Sequence, residues 1–143
     1  MKKLIALLLT LVCVSGLVGC SNEETTVWDW AQELNQEDVI SVTPWRHDDE
    51  HKEFDTLSDE ETLELVTLLN DLTEDSFTEN KNLAGGTPAF GIQIDIASET
   101  YYINESISPN GALEIRYSEK MWWIDNVELL DFVQRVADTK FAE

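Results

Sequence analysis

The sequence contains little cysteine, few basic residues and only two histidines. Its two cysteines, Cys13 and Cys20, both fall within the first 20 of 143 residues. Residues 21–143 therefore have no thiol for a disulfide, a redox pair or a thiolate metal site. This part of the chain is long enough for one domain with a hydrophobic core, and its stability must come from packing.

Basic residues are scarce beside the acidic ones. Nine lysines and arginines face 29 aspartates and glutamates, which gives a net charge of −20. A field of this sign repels nucleic-acid phosphates and anionic lipid headgroups. The composition excludes nucleic acid as a partner and favours a cationic protein, peptide or envelope component, or a divalent cation. A solvated, repulsive surface without a partner is the alternative.

Both histidines lie in one segment, His47-Asp48-Asp49-Glu50-His51, which matches the inverted zinc-protease pattern H-x-x-E-H. That pattern works on a helix, whereas this segment is polar and follows Pro44. We therefore expect a loop without a metal or other cofactor, with His47, Glu50 and His51 as the candidate ligands if a metal binds. Serine or cysteine catalysis needs a histidine base held by a third group, and no such arrangement is indicated.

The N-terminus has the order of a bacterial export signal. Lys2 and Lys3 precede an apolar run from Leu4 to Val18, and the sequence turns polar after Cys20. The run is shorter than the roughly 20 apolar residues that a spanning helix needs. The sequence predicts a cleaved signal rather than a retained transmembrane anchor.

Leu17-Val18-Gly19-Cys20 resembles the bacterial lipobox. The resemblance implies cleavage before Cys20 and a diacylglyceryl group on its thiol; an ordinary secretory signal with an incidental cysteine is the alternative. We expect a signal peptide at 1–19, the lipidated cysteine and a short tether at 20–26, and one extracytoplasmic domain at 27–143. The membrane is then a partner through lipid on Cys20, and the protein lies on the outer face of the cell membrane.

The first half of the domain predicts two helices and a strand. Val27 to Leu34 has helical apolar spacing behind a Thr26 cap, and Ser58 with Glu61 opens a helix that ends near Leu72. Residues 38–43 alternate as an edge strand that stops at Pro44. Segments 46–55 and 73–89 are predicted as loops, the second being unusually long.

The second half predicts an antiparallel meander and a closing helix. Four alternating segments follow one another, at 90–96, 101–103, 113–117 and 121–124. A cap at Asp125 with Glu128 begins a helix whose buried side is expected to hold Val127, Leu130, Val133 and Ala137, with Phe132 and Val136 beside them. The fold class is α+β: an antiparallel sheet of about five strands, four of them in the meander, with helices packed on one face, in the order α-β-α-ββββ-α.

Aromatic residues are the remaining candidates for a binding site. Adjacent strand residues point to opposite faces, so Trp122 and Trp123 cannot both enter one core. One is expected in the core, and the other is either exposed or covered by the first helix through Trp28 or Trp30. Exposed sheet aromatics hold sugars and extended peptides, which makes Tyr101, Tyr102, Trp122 and Trp123 the candidate binding-face aromatics.

The chain resembles small uncharacterised lipoproteins of Gram-positive bacteria. The resemblance rests on the lipobox, the Trp-containing helix ending at Leu34, the strand from Glu37, the helix from Leu57 and the aromatic meander. The resemblance supplies no catalytic residues. We expect a non-enzymatic binding module at the cell envelope. The alternatives are a metal- or carboxylate-dependent envelope hydrolase using the His47–His51 loop, and an acidic domain that buffers cations.

Overall fold

The structure, a computed structural model, describes residues 24–81, 87–106 and 113–142. The predicted signal, Cys20 with its lipid, and the turns expected at 85–86 and 109–111 lie outside these ranges, so those expectations stay predictions. Within the described ranges, no helix combines the length and apolarity needed to cross a bilayer.

Three α-helices occur in the described part of the chain: α1 (Val27–Glu33), α2 (Asp59–Asn70) and α3 (Val127–Phe141). The first two begin where the sequence predicts. Thr26 and Ser58 each accept a hydrogen bond from the backbone N–H three residues later, and the carboxylate at that position accepts the backbone N–H of the cap residue. These reciprocal caps satisfy N–H groups that have no partner inside the helix.

The predicted start of α3 is wrong by one residue. Asn126, and not Asp125, caps the helix by accepting a bond from the N–H of Leu129 at 2.8 Å. Val127 is 68% exposed and Leu130 is only partly buried, whereas Leu129 is fully buried. Val127 precedes Leu129 by two residues, about 200° around the helix, so it points away from the core and the buried side begins at Leu129. The rest of the predicted stripe is buried: Phe132, Val133, Val136 and Ala137.

Seven strands within the described ranges form one antiparallel sheet, in the order β2-β1-β4-β5-β6-β7-β3. The α+β class, with helices on one face, is confirmed. The strands are β1 (Val39–His47), β2 (His51–Glu53), β3 (Phe77–Glu79), β4 (Phe90–Ile96), β5 (Thr100–Glu105), β6 (Leu113–Tyr117) and β7 (Lys120–Ile124).

The strand count is higher than the predicted five because the two predicted loops each contain a short strand. β2 lies in segment 46–55 and pairs with β1, while β3 lies in segment 73–89 and pairs with β7. Each has only three residues and forms one edge of the sheet. Strands this short show no apolar alternation, and pairing with a neighbouring strand decides their conformation.

The predicted end of β1 at Pro44 is also wrong, because the strand continues to His47. Pro44 pairs with Ile92 of β4, and its carbonyl oxygen accepts a bond from the N–H of Phe54 on the other side. In an antiparallel strand the N–H and C=O of one residue point to the same side. The missing N–H of Pro44 therefore faces away from β4, and the pairing with β4 is intact.

The hydrophobic core lies between the helices and one face of the sheet. Cross-strand partners form continuous apolar rows on that face, such as Ile92, Ile103 and Ile115. The predicted inner residues of α2, including Leu65 and Leu69, are buried in the same cluster. The described helices therefore pack on one face of the sheet, and the other face has no helix on it.

Candidate binding site

The side of the sheet opposite the helices is called here the helix-free face. No helix in the described ranges packs against it. Direct cross-strand partners share a face, so the register assigns its members without ambiguity. They include Trp45 on β1, Gly91, Gln93 and Asp95 on β4, Tyr102 and Asn104 on β5, Glu114 on β6, and Trp123 on β7.

Trp122 and Trp123 point to opposite faces, as the strand period requires. Trp122 lies opposite Ile115 on the helix-covered face, and its ring meets that of Trp28 edge-on at 5.9 Å. Trp123 lies opposite Glu114 on the helix-free face and is partly exposed. Trp28 of α1 is therefore the residue that covers the inner tryptophan.

The two tyrosines of β5 divide in the same way. Tyr101 is buried on the helix-covered face, where its ring lies 4.5 Å from that of Trp30 and 6.0 Å from that of Tyr117. Tyr102 is on the helix-free face and is 45% exposed. Of the four candidate binding-face aromatics, Tyr102 and Trp123 are on the helix-free face, and Tyr101 and Trp122 are packing residues.

Asp95 is the centre of a hydrogen-bonded cluster on the helix-free face. Its carboxylate accepts bonds from the hydroxyl of Thr100 at 2.7 Å, from the amide of Gln93 at 3.0 Å to each of its two oxygens, and from the hydroxyl of Ser41 at 3.0 Å. The bond from Thr100, with those from Gln93 and Ser41, outweighs burial and lowers the pKa of Asp95. The carboxylate is thus kept ionised, and donors on the three strands β1, β4 and β5 fix its orientation.

Trp45 lies across the sheet above Gly91. A Cβ atom at Gly91 would come within 2.9 Å of Cζ2 of Trp45, 2.7 Å of the carbonyl oxygen of Ile103 and 2.6 Å of Oδ1 of Asn104. Only glycine lets the indole approach the backbone this closely. Trp45 is 7% exposed, and neither its indole N–H nor Oδ1 of Asn104 has a hydrogen-bond partner among the described residues.

Glu114 lies between Asn104 and Trp123 in the same cross-strand row. It is 9% exposed, and burial raises the pKa of its carboxyl group. The row thus carries a buried carboxyl group beside a partly exposed tryptophan, on the side of the sheet without helices.

His47 and His51 are cross-strand partners in the β1–β2 hairpin. Both are exposed, as is Glu50 in the connecting bend. The ring of His51 lies 5.5 Å from that of Trp45, and its Nε2 is 3.6 Å from the carboxylate of Glu53. The histidines therefore do not have the helical one-turn spacing that the H-x-x-E-H pattern needs.

Within the described ranges, no three side chains of His, Cys, Asp or Glu are grouped so as to hold a metal ion. The candidate site residues that the sequence indicates do not include Trp45, Asp95, Asn104 or Glu114 of the helix-free face. Asp95, Asn104 and Glu114 occupy the polar positions of alternating strands, which is a signal for one shared face. Trp45 carried no such signal, because it follows the proline at which the strand was expected to stop.

Comparison with protein-family models, with curated proteins and with solved structures finds no match to this chain.

Proposed function

We propose that this protein is a lipid-anchored, non-enzymatic module on the outer face of a bacterial cell membrane. It binds a cationic segment of an envelope protein or peptide through the helix-free face. The observation that carries the proposal is that all three helices pack on one side of the sheet and leave Tyr102 and Trp123 on the other.

The helix-free face has the composition of a recognition surface. Tyr102 and Trp123 lie two strand spacings, about 10 Å, apart across the sheet and two residues, about 7 Å, apart along the strands, because Trp123 is in the cross-strand row of Asn104. Aromatic side chains supply contact area at low entropic cost, and polar groups between them fix orientation. Glu114, on the strand between the two rings, provides one such polar group, and the ordered carboxylate of Asp95 lies on the other side of Tyr102; both are acidic.

Charge supports a cationic partner. The chain has a net charge of −20, so its long-range field attracts basic segments and repels acidic ones. Electrostatic complementarity of this kind mainly raises the association rate, and salt weakens it.

The geometry of the histidines supports a non-enzymatic role. The two histidines of the chain are exposed partners in one hairpin at an edge of the sheet. In the part of the chain that the structure describes, neither ring is held by a buried third group of the kind that positions a catalytic base.

The test is site-specific photocrosslinking of the full-length lipoprotein in living cells. Tyr102 is replaced by p-benzoylphenylalanine, and Leu63, which is 51% exposed on α2, carries the same group in the matched control. We expect a discrete adduct from position 102 and none from position 63. The crosslinked segment of the partner should be basic.

A second variant makes the test specific to the face. Trp123→Ala in the Tyr102 crosslinking protein should reduce the adduct at least fivefold, and raised salt should reduce it further. Adducts at both positions, or at neither, would contradict the proposal, as would an acidic partner segment.

A further inference from the structure

Glu114 is a nearly buried carboxyl group without a side-chain partner in the part of the chain that the structure describes. It lies on the helix-free face of β6 and is 9% exposed. No described group forms a hydrogen bond or an ion pair with its carboxylate, and burial raises its pKa. A carboxylate that is partly desolvated and unpaired costs free energy, and a bound cation removes that cost.

The carboxylate of Glu114 is nevertheless open to solvent. Among the described residues, the side-chain polar atoms that are sealed from solvent and have no partner are Oδ1 of Asn104 and the indole nitrogens of Trp30, Trp45 and Trp122. The oxygens of Glu114 have no partner either, yet they are not among these sealed atoms, so solvent reaches them. A group on a bound molecule can therefore reach them from the helix-free face.

Trp123 lies beside this carboxylate. It is the cross-strand partner of Glu114 on β7, and side chains so placed have Cβ atoms roughly 5 Å apart. Trp123 is partly exposed, and none of the ring contacts among the described residues involves it. Its neighbour on the other side, Thr78 of β3, is small and exposed. The helix-free face thus presents an aromatic ring next to an unpaired carboxylate.

A guanidinium group fits this pair of residues better than an ammonium group does. A carboxylate with both oxygens unpaired accepts two parallel N–H bonds from a guanidinium group, whereas an ammonium group acts as a point charge. The planar guanidinium group also stacks on an indole ring. It is more weakly hydrated than an ammonium group, so its transfer to a nearly buried position costs less.

We propose that Glu114 and Trp123 bind one arginine side chain of the partner. The carboxylate of Glu114 accepts two hydrogen bonds from the guanidinium group, and the indole ring of Trp123 stacks on it. This inference rests on the proposed function, because it uses the same face and the same basic segment. It goes further by naming the residue that the segment must contain.

Arginine binding at this pair is coupled to the ionisation of Glu114. The guanidinium group favours the charged carboxylate, so the complex keeps Glu114 ionised at a lower pH than the free protein does. Burial raises the pKa of the free group above its ordinary value of 4.5. The affinity is therefore constant well above the raised value and falls as pH drops through it.

Three other ionisable side chains surround Glu114, on its own strand, on β5 and next to β7. Arg116 lies two residues along β6, Tyr102 lies on β5, and Asp125 follows β7; all three are exposed. Arginine stays charged and tyrosine stays neutral throughout the acid range. Asp125 is the neighbour whose titration must be separated from that of Glu114.

Titration of the full-length protein in detergent with three matched probes tests the proposal. The probes are the Nα-acetyl N-methylamides of arginine, lysine and citrulline, the last being a neutral analogue of arginine. Calorimetry and the indole N–H signal of Trp123 in NMR spectra follow binding. We expect the arginine amide to bind and to shift this signal, the lysine amide to bind at least fivefold more weakly, and the citrulline amide not to bind.

Three outcomes of this titration would overturn the proposal. They are binding of the lysine amide as tight as that of the arginine amide, binding of the citrulline amide, and no saturable binding of the arginine amide up to about 50 mM.

Variants separate this pair from the general acidic field. Glu114→Gln keeps the shape of the side chain and should weaken arginine-amide binding at least tenfold and abolish its dependence on pH. Asp125→Asn removes the same charge nearby and should change the affinity less than threefold, with the pH dependence retained. Equal losses in the two variants, or a pH dependence that survives Glu114→Gln, would contradict the proposal.

The crosslinking experiment distinguishes this inference from the proposed function. An adduct of Tyr102 position 102 with a basic segment that contains arginine supports both. An adduct with a segment that contains lysine but no arginine would overturn the arginine site and leave the proposed function standing.

Discussion

Asp95 and Glu114 are two carboxyl groups on the same face of one sheet, and their environments act on them in opposite directions. Hydrogen bonds from three residues, Thr100 first, lower the pKa of Asp95, whereas burial raises the pKa of Glu114. Hydrogen bonds that favour the charged form stabilise the folded protein at neutral pH, and desolvation of a charge destabilises it. The two residues therefore contribute oppositely to the pH dependence of unfolding.

We predict that Glu114→Gln is more stable than the wild type at pH 7. A raised folded-state pKa means that the contribution of this group is fully present below its unfolded value of 4.5 and is lost as pH rises through the folded value. The difference between variant and wild type should therefore vanish in acid. Urea unfolding at several pH values measures it, and equal stabilities at every pH would contradict the prediction.

Asp95→Asn is the matched control with the opposite sign. The lowered pKa of Asp95 contributes stability above its unfolded value of 3.8, and this contribution is lost as pH falls through the lower folded value. The variant should be less stable than the wild type at pH 7 and should approach it in strong acid.

The two adjacent tryptophans of β7 should respond differently to truncation. Trp122→Ala removes a ring packed on Trp28 and the core and should cost about 3 kcal/mol of unfolding free energy. Trp123→Ala removes a partly exposed ring with no helix above it and should cost about 1 kcal/mol. Urea midpoints distinguish the two, and equal losses would mean that both faces are covered at this point.

At the scale of elements, the β1–β2 hairpin and the start of α3 differ most from what local sequence indicates. The hairpin places His47 opposite His51 at an edge of the sheet, and the ring of His51 packs near Trp45. Edge strands are often kept short and charged, which limits pairing with other chains. The charged side chains of this hairpin are consistent with that role, which does not require a bound ion.

We predict that metal has little influence on this hairpin or on stability. The unfolding temperature should be nearly the same with and without chelator, because a ligand that binds only the folded state would raise it. His47→Ala with His51→Ala should behave like the wild type in both conditions. Stoichiometric zinc in the wild type that is lost in this variant would contradict the prediction and favour the hydrolase hypothesis.

The cap of α3 offers a direct test of the corrected helix start. Asn126→Ala should cost about 1 kcal/mol, because it removes the acceptor for the N–H of Leu129. Asp125→Ala should cost much less, since the bond that Asp125 makes to Ser76 uses its backbone N–H. Thermal unfolding measures the loss of stability in each variant. A larger loss in Asp125→Ala than in Asn126→Ala would indicate that Asp125 caps the helix.

At the scale of the whole molecule, packing and charge have separate roles. The helices use one face of the sheet for the core, and the net charge of −20 keeps the surface solvated. The proposed anchor adds a location to this arrangement, because lipid on Cys20 would hold an acidic domain beside a membrane whose anionic headgroups repel it. The domain would then face outward towards its partner.

Cys20→Ser tests the anchor. We expect this variant to lose labelling by a radioactive fatty acid and to appear in the medium or as an uncut precursor. Cys13→Ser is the matched control, because this cysteine lies in the part of the signal that would be removed, and it should be labelled normally. Labelling of the Cys20→Ser protein at the wild-type level would contradict the lipoprotein hypothesis.

The sequence alone determined the elements whose signals are local. The capping boxes at Thr26 and Ser58 and the alternation of β4 predicted their elements, since neighbouring residues carry both the pattern and the stabilising contacts. The sequence also determined that Trp122 and Trp123 point to opposite faces, because side chains alternate between the two faces along every strand.

Tertiary structure decided what depends on distant neighbours. β2 and β3 become strands because each can pair with an edge of the sheet. Pro44 stays within β1 because its missing N–H faces away from β4. Which tryptophan of the pair is covered depends on where α1 places Trp28. The row of Asn104, Glu114 and Trp123 likewise exists only where three strands pair in register, since hydrophobic packing and strand pairing, and not local propensity, bring them together.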